Sequence, residues 1–116
     1  MKHPVVWFEV MGTEGKKLRS FYGDLFAWTY DVDGTMEYGM VNAPKNAGIS
    51  GGVGQGDAPR VTFYVETPCI EESLARAGEL GGKTLMPRTE LPGVILGMFA
   101  DPEGNVVGLV EAQAAA

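Results

Sequence analysis

The stretch Val5-Val6-Trp7-Phe8-Glu9-Val10 returns in pattern as Arg60-Val61-Thr62-Phe63-Tyr64-Val65, 55 residues later. In each copy one set of alternate positions is purely apolar: Val6, Phe8 and Val10 in the first, Val61, Phe63 and Val65 in the second. The other set is mixed, with Trp7, Glu9, Thr62 and Tyr64. Side chains on a strand alternate between two faces, so each copy predicts a strand with one core face and one mixed face. A chain that starts the same pattern twice is constrained to build two similar units, whose nature is set by the elements after each strand.

After the first copy, Thr13 is placed to cap a helix. Leu18, Phe21, Tyr22, Leu25 and Phe26 then fall on one helical stripe, with Lys16, Lys17, Arg19 and Asp24 on the wet side. Strand-like runs come next at 28–32, 37–41 and 48–54, with a hairpin signal at Asp33-Gly34 and a loop from Asn42 to Asn46. Gln55 to Pro59 links the halves. The second copy leads to Thr67-Pro68, read as an N-cap and first helical position, with Glu71 and Glu72 in the first turn. Ile70, Leu74 and Ala77 form the apolar stripe, and Gly81-Gly82 ends the helix. Runs at 83–88, 94–99 and 106–111 complete the set, the last two joined by a type I turn at Asp101-Pro102-Glu103-Gly104. The offset of 55 brings Pro4, Phe8, Val10 and Leu25 onto Pro59, Phe63, Val65 and Leu80, and at an offset of 57 Gly51 meets Gly108. The expected architecture is two βαβββ modules, about 4–54 and 60–112, within a single domain 1–116.

Composition narrows the function classes. The chain has 116 residues, 45% hydrophobic and 21% charged, enough for an ordinary core without disulfides. Nine basic residues against fifteen acidic ones give a net charge of −6, and the basic ones form no stripe, so a nucleic-acid partner is not expected. No apolar run is long enough to cross a bilayer and no secretory segment precedes the first strand, so the expectation is a cytoplasmic protein with no membrane partner. A single cysteine, Cys69, suits a reducing compartment.

Two βαβββ modules, the run Phe21-Tyr22-Gly23-Asp24-Leu25-Phe26-Ala27-Trp28, Gly81-Gly82-Lys83 after the second helix and Asp101-Pro102-Glu103-Gly104-Asn105 before the last strand resemble the vicinal oxygen chelate superfamily. That superfamily includes glyoxalase I, extradiol dioxygenases and bleomycin-resistance proteins. The resemblance covers nearly the whole chain and is strongest to short bacterial glyoxalase-like proteins related to lactoylglutathione lyase. It implies an α+β fold with a cupped eight-stranded mixed sheet, helices on the outer face, and a homodimer.

The resemblance also maps a metal site. Metal-dependent members carry His and Glu ligands on the inward faces of the first and last strands. Those positions fall on Trp7, on Thr62 by the internal repeat, on Gly108, and near Gly51. Indole has no lone pair to give, glycine has no side chain, and one threonine hydroxyl binds weakly. The one histidine, His3, stands before the first strand and reads as a solvated residue. The expectation is therefore no catalytic metal and no cofactor.

What remains for the concave face is Trp7, Glu9, Tyr38, Met40, Thr62, Tyr64, Met98 and Gly108, a lining suited to a flat or cationic organic molecule. Trp7 fills the volume that metal and substrate take in relatives, stacks on a ligand, or makes a dimer contact. Glu9 is the candidate catalytic acid or base, or else it is neutralised by Arg60, Arg88 or a partner subunit. Cys69 lacks a histidine base as a nucleophile, Gly48 to Gly54 lacks the ending of a phosphate loop, and Met36, Met40, Met86 and Met98 read as adaptable core or pocket lining. Three functions are compatible with these residues: a metal-independent binder of a small organic molecule, a glyoxalase-like lyase or isomerase acting through Glu9 or an atypically recruited metal, and an inactive dimeric accessory protein.

Overall fold

The computed structural model of the protein describes residues 2–33, 37–44 and 47–112. Within them the order is β1 (Val5–Gly12), α1 (Gly15–Phe26), β2 (Asp31–Asp33), β3 (Tyr38–Val41), β4 (Ser50–Gln55), β5 (Arg60–Thr67), α2 (Ile70–Glu79), β6 (Lys83–Leu91), β7 (Val94–Ala100) and β8 (Val106–Glu111). This is the α+β architecture of two βαβββ modules that the repeat predicts. Gly34, Met36, Lys45 and Asn46, which carried parts of the hairpin, lining and loop readings, lie outside the described residues. No described helix is long and apolar enough to cross a membrane. Contacts gather the chain into two compact units: Trp7–Thr62, and the residues up to Val6 together with those from Phe63 onward.

In the Trp7–Thr62 unit the strands run in the order β2-β3-β4-β1, with β1 parallel to β4 and the other pairs antiparallel. Val10, Val41 and Val53 form its core, closed by Phe8, by Leu18 and Tyr22 of α1, and by Trp28 and Tyr30. Phe21, Leu25 and Phe26, expected on the buried stripe, are more than half exposed. Their place is taken by Trp28, whose ring stacks on Tyr22 at 5.6 Å and tilts against Phe8 at 5.4 Å. Arg19, expected on the wet side, is buried. The expected Thr13 cap is not used either: Glu14 stands at the N-cap, and the Gln55 side chain of β4 accepts the Gly15 N–H at 3.3 Å. An orphan donor of the first turn is thus satisfied from another strand, which no local signal encodes.

In the second unit the order is β5-β8-β7-β6, with β5 parallel to β8 and the other pairs antiparallel. Ile70 and Leu74 of α2 pack with Leu109, joined by Val65, Ile95 and Phe99. The helix starts later than expected, with Cys69 at the N-cap and Pro68 ahead of it. The Thr67 hydroxyl accepts the Cys69 N–H at 3.4 Å and pairs with the Ser73 hydroxyl at 2.7 Å. From β8, the Glu111 carboxylate accepts the Ile70 N–H at 3.1 Å. Glu71 and Glu72 do stand in the first turn, and Gly81, with φ of 102°, comes after the helix as expected. The turn before β8 is closed by the Gly104 N–H on the Asp101 carbonyl at 2.9 Å.

On β5 the expected core face is covered only at its far end. Val61 and Phe63, expected in the core, are 74% and 45% exposed, whereas Thr62 and Tyr64 are buried. Of that apolar set, only Val65 packs against the α2 core. Alternation establishes that a strand has two faces, but which one is covered depends on what the rest of the chain lays against it.

Candidate functional site

The mixed face of β1 carries Trp7 and Glu9. Glu9 stands opposite Gly52 of β4, and Gly52 stands opposite Met40 of β3. Tyr38, two residues before Met40 and on the same face, is opposite Gly54. Its phenol leans diagonally across β4, and a Cβ at Gly52 would land on the phenol oxygen. Glycine is what lets an aromatic ring cross that strand.

The crossing joins three predicted site residues. The Trp7 indole N–H donates to the Tyr38 hydroxyl at 3.0 Å, and that hydroxyl donates to the Glu9 carboxylate at 3.0 Å. Arg60 approaches the other carboxylate oxygen at 3.4 Å. The Glu9 side chain is 12% exposed and that of Arg60 is 39% exposed. A carboxylate so far out of water has to be met by donors, and here a phenol and a guanidinium meet it. Within the chain Arg60 is therefore the neutralising partner, and Arg88, the other arginine considered, is committed elsewhere. Met40 lies half exposed beside this cluster. Thr62 is 3% exposed, and its hydroxyl oxygen has no hydrogen-bond partner among the described residues.

Tyr64, Gly108 and Met98 belong to the other unit, where they form one row. Gly108 of β8 stands between Tyr64 of β5 and Met98 of β7. The Tyr64 ring lies directly over Gly108, so a Cβ there would run into it. The two units therefore carry equivalent rows, Glu9–Gly52–Met40 and Tyr64–Gly108–Met98. This registration moves the counterpart of Gly108 from Gly51 to Gly52. Gly51 is covered from the opposite face by the Phe8 ring.

Two further clusters lie in the second unit. Arg88 of β6 grips Glu111 through Nε and Nη2, at 3.1 and 2.7 Å, and reaches Glu90 at 3.1 Å. The hydrogen bond from Arg88, with a second from the Ile70 N–H, holds the Glu111 carboxyl below its usual range. A cavity of about 530 Å³ opens on the α2 side of the sheet, with Val65, Phe99, Leu109 and Leu80 among its walls. His3 and Cys69, the one histidine and the one cysteine of the chain, both line it. Their separation in sequence concealed that they share a cavity.

The architecture defines a class: the chain has the vicinal oxygen chelate fold. No family model and no curated protein matches it. Among solved structures, it is similar to a glyoxalase/bleomycin resistance protein/dioxygenase superfamily member from Vibrio splendidus 12B01, with TM-score 0.68 and 15% identity over 96% of this chain and 100% of that one. It is also similar to methylmalonyl-CoA epimerase in complex with methylmalonyl-CoA and NH4+, with TM-score 0.65 and 13% identity over 98% and 97% of the two chains. A third similar structure is that of an NAD-dependent benzaldehyde dehydrogenase from Legionella pneumophila, with TM-score 0.65 and 12% identity over 92% and 98%. Likeness at such identity carries the fold alone, and three different names on it show why function has to be argued from the site.

The metal of that superfamily can be tested against the residues present. At the first-strand positions stand Trp7, whose only side-chain nitrogen donates to Tyr38, and Thr62. At the last-strand positions stand Gly52 and Gly108, each under a tyrosine ring that takes the space of a ligand side chain. Among the described residues, no three His, Cys, Asp or Glu side chains come together in a way that could hold a metal ion. The residues at these positions do not fit a divalent ion.

Proposed function

We propose that the protein binds a small organic molecule, without a metal, against the Trp7–Tyr38–Glu9 surface of the Trp7–Thr62 unit. The observation that carries this reading is the Tyr38 phenol, laid over Gly52 and bonded to both Trp7 and Glu9. It replaces a coordination position by a preorganised aromatic and polar surface. An indole, a phenol and a flexible methionine beside a carboxylate suit a flat molecule with a positive or hydrogen-bond-donating group. A net charge of −6 favours the approach of such a ligand.

The test is a thermal-shift screen of planar aromatic amines and neutral aromatics, with and without chelator and with added nickel, zinc or manganese. Ligands of the stated class raise the melting temperature of the parent, Trp7→Ala and Tyr38→Phe reduce that shift at least severalfold, and chelation changes nothing. Stoichiometric metal in the purified protein, lost together with binding on chelation, would falsify the metal-free reading. A second reading, a lyase or isomerase with Glu9 as acid or base, is supported by the orientation that Tyr38 and Arg60 impose on the carboxylate. It requires turnover that Glu9→Gln abolishes. The exposed Phe21, Leu25 and Phe26 of α1 support a homodimer, and a reducing cytoplasm suits the free thiol of Cys69.

A further inference from the structure

Arg19 projects from α1 on the helix side of the sheet in the Trp7–Thr62 unit, yet it is 7% exposed. A guanidinium removed from water has to be paired. Glu37 meets it twice: Nη1 donates to the Glu37 carbonyl at 3.0 Å and Nη2 to the Glu37 carboxylate at 3.4 Å. The same carbonyl accepts the Gln55 N–H at 3.1 Å. Glu37 has φ of 50°, in the left-handed region that residues with a side chain seldom occupy. Such a conformation persists only where its surroundings over-determine it, and it is commonly found next to functional groups.

The surroundings of Arg19 are themselves shaped for it. Gly39 leaves room for its stem, since a Cβ there would meet Arg19 Cδ and the Tyr30 ring. The Tyr30 hydroxyl donates to the Arg19 carbonyl at 2.8 Å, anchoring the helix at that point. Glu37 immediately precedes Tyr38, so its backbone sets the direction in which β3 begins. That direction decides whether the phenol crosses Gly54 and Gly52 to reach Trp7 and Glu9.

We propose that Arg19 is a positioning residue for the Trp7–Tyr38–Glu9 site, acting across the sheet by holding Glu37 in its left-handed conformation. The inference rests on the site assigned above, but its test uses no ligand, so a failed ligand screen leaves the test intact. The chain has two tryptophans, Trp7 and Trp28, and hence two indole N–H signals in a nitrogen–proton correlation spectrum of the full chain. Tyr38→Phe identifies the Trp7 signal and marks where it moves when its hydrogen bond is lost. Arg19→Met is expected to move that signal toward the Tyr38→Phe position. Arg19→Met combined with Glu37→Gly restores it, because glycine takes the left-handed backbone without a clamp. If Arg19→Met lowers the melting temperature but leaves the Trp7 signal at its parental position, Arg19 only stabilises the fold and the proposal is overturned. It is equally overturned if the signal moves in Arg19→Met and stays moved in the double variant. Should Arg19→Met not fold, Arg19→Lys, which keeps the charge and loses the two-pronged grip, takes its place in both arms.

Discussion

Gly52 and Gly108 matter for what they leave out. Each lies beneath a tyrosine ring, so adding even a methyl group asks a packed aromatic side chain to move. Gly108→Ala is expected to cost about 1–3 kcal/mol, the usual range for overpacking, read as a lower urea midpoint at unchanged slope. Gly78 is the control: it lies inside α2 with nothing near its absent Cβ, and Gly78→Ala is expected to stabilise by about 0.5–1 kcal/mol. Tyr38→Phe removes a hydroxyl that is bonded to two partners, Trp7 and Glu9, and is expected to cost roughly 1–3 kcal/mol in the same assay. These residues were legible as candidates because alternation put Trp7 and Glu9 on one face of β1. That Tyr38 would bridge them was not legible, because it depends on the register between strands whose bonded residues, Glu9 and Tyr38, stand 29 positions apart.

At the scale of elements, each helix is tied by a side chain borrowed from a distant strand: Gln55 for α1 and Glu111 for α2. The second tie is sensitive to acid. The folded-state pKa of Glu111 is depressed, first by the Arg88 hydrogen bond, so its contribution is fully present above the unfolded value of about 4.3 and is lost as pH falls through the folded value. Asp101 is depressed in the same direction, chiefly by the Asn105 side chain, and adds to the effect. The melting temperature is therefore expected to fall on acidification below about pH 4, and Glu111→Gln is expected to flatten part of that fall, with the Asp101 part remaining. Ile70, fully buried at the head of α2, is expected to cost roughly 2–5 kcal/mol on replacement by Ala. The reading of Arg19 as a wet-side residue failed at this scale. A helical wheel shows which residues share a stripe, and only the fold shows that a charged residue beside the stripe is itself buried against the backbone and carboxylate of Glu37.

For the whole molecule, sedimentation is expected to give twice the 12.4 kDa chain mass at micromolar concentration, with Phe21→Glu shifting the protein toward monomer. A monomer at all concentrations would overturn the proposed homodimer. Repeat, element order, the turn before β8 and the unsuitability of Trp7, Thr62 and Gly108 as metal ligands were determined by the sequence itself, because periodicity, turn residues and side-chain donor chemistry are local properties. Only the tertiary structure decided that Val61 and Phe63 face outward, that Glu9 pairs with Arg60, that Gly52 is the true counterpart of Gly108, and that a tyrosine lies over each of the two. Those outcomes depend on which strand lies beside which and in what register, and on how the space beside each glycine is filled. No short stretch of the chain encodes that filling.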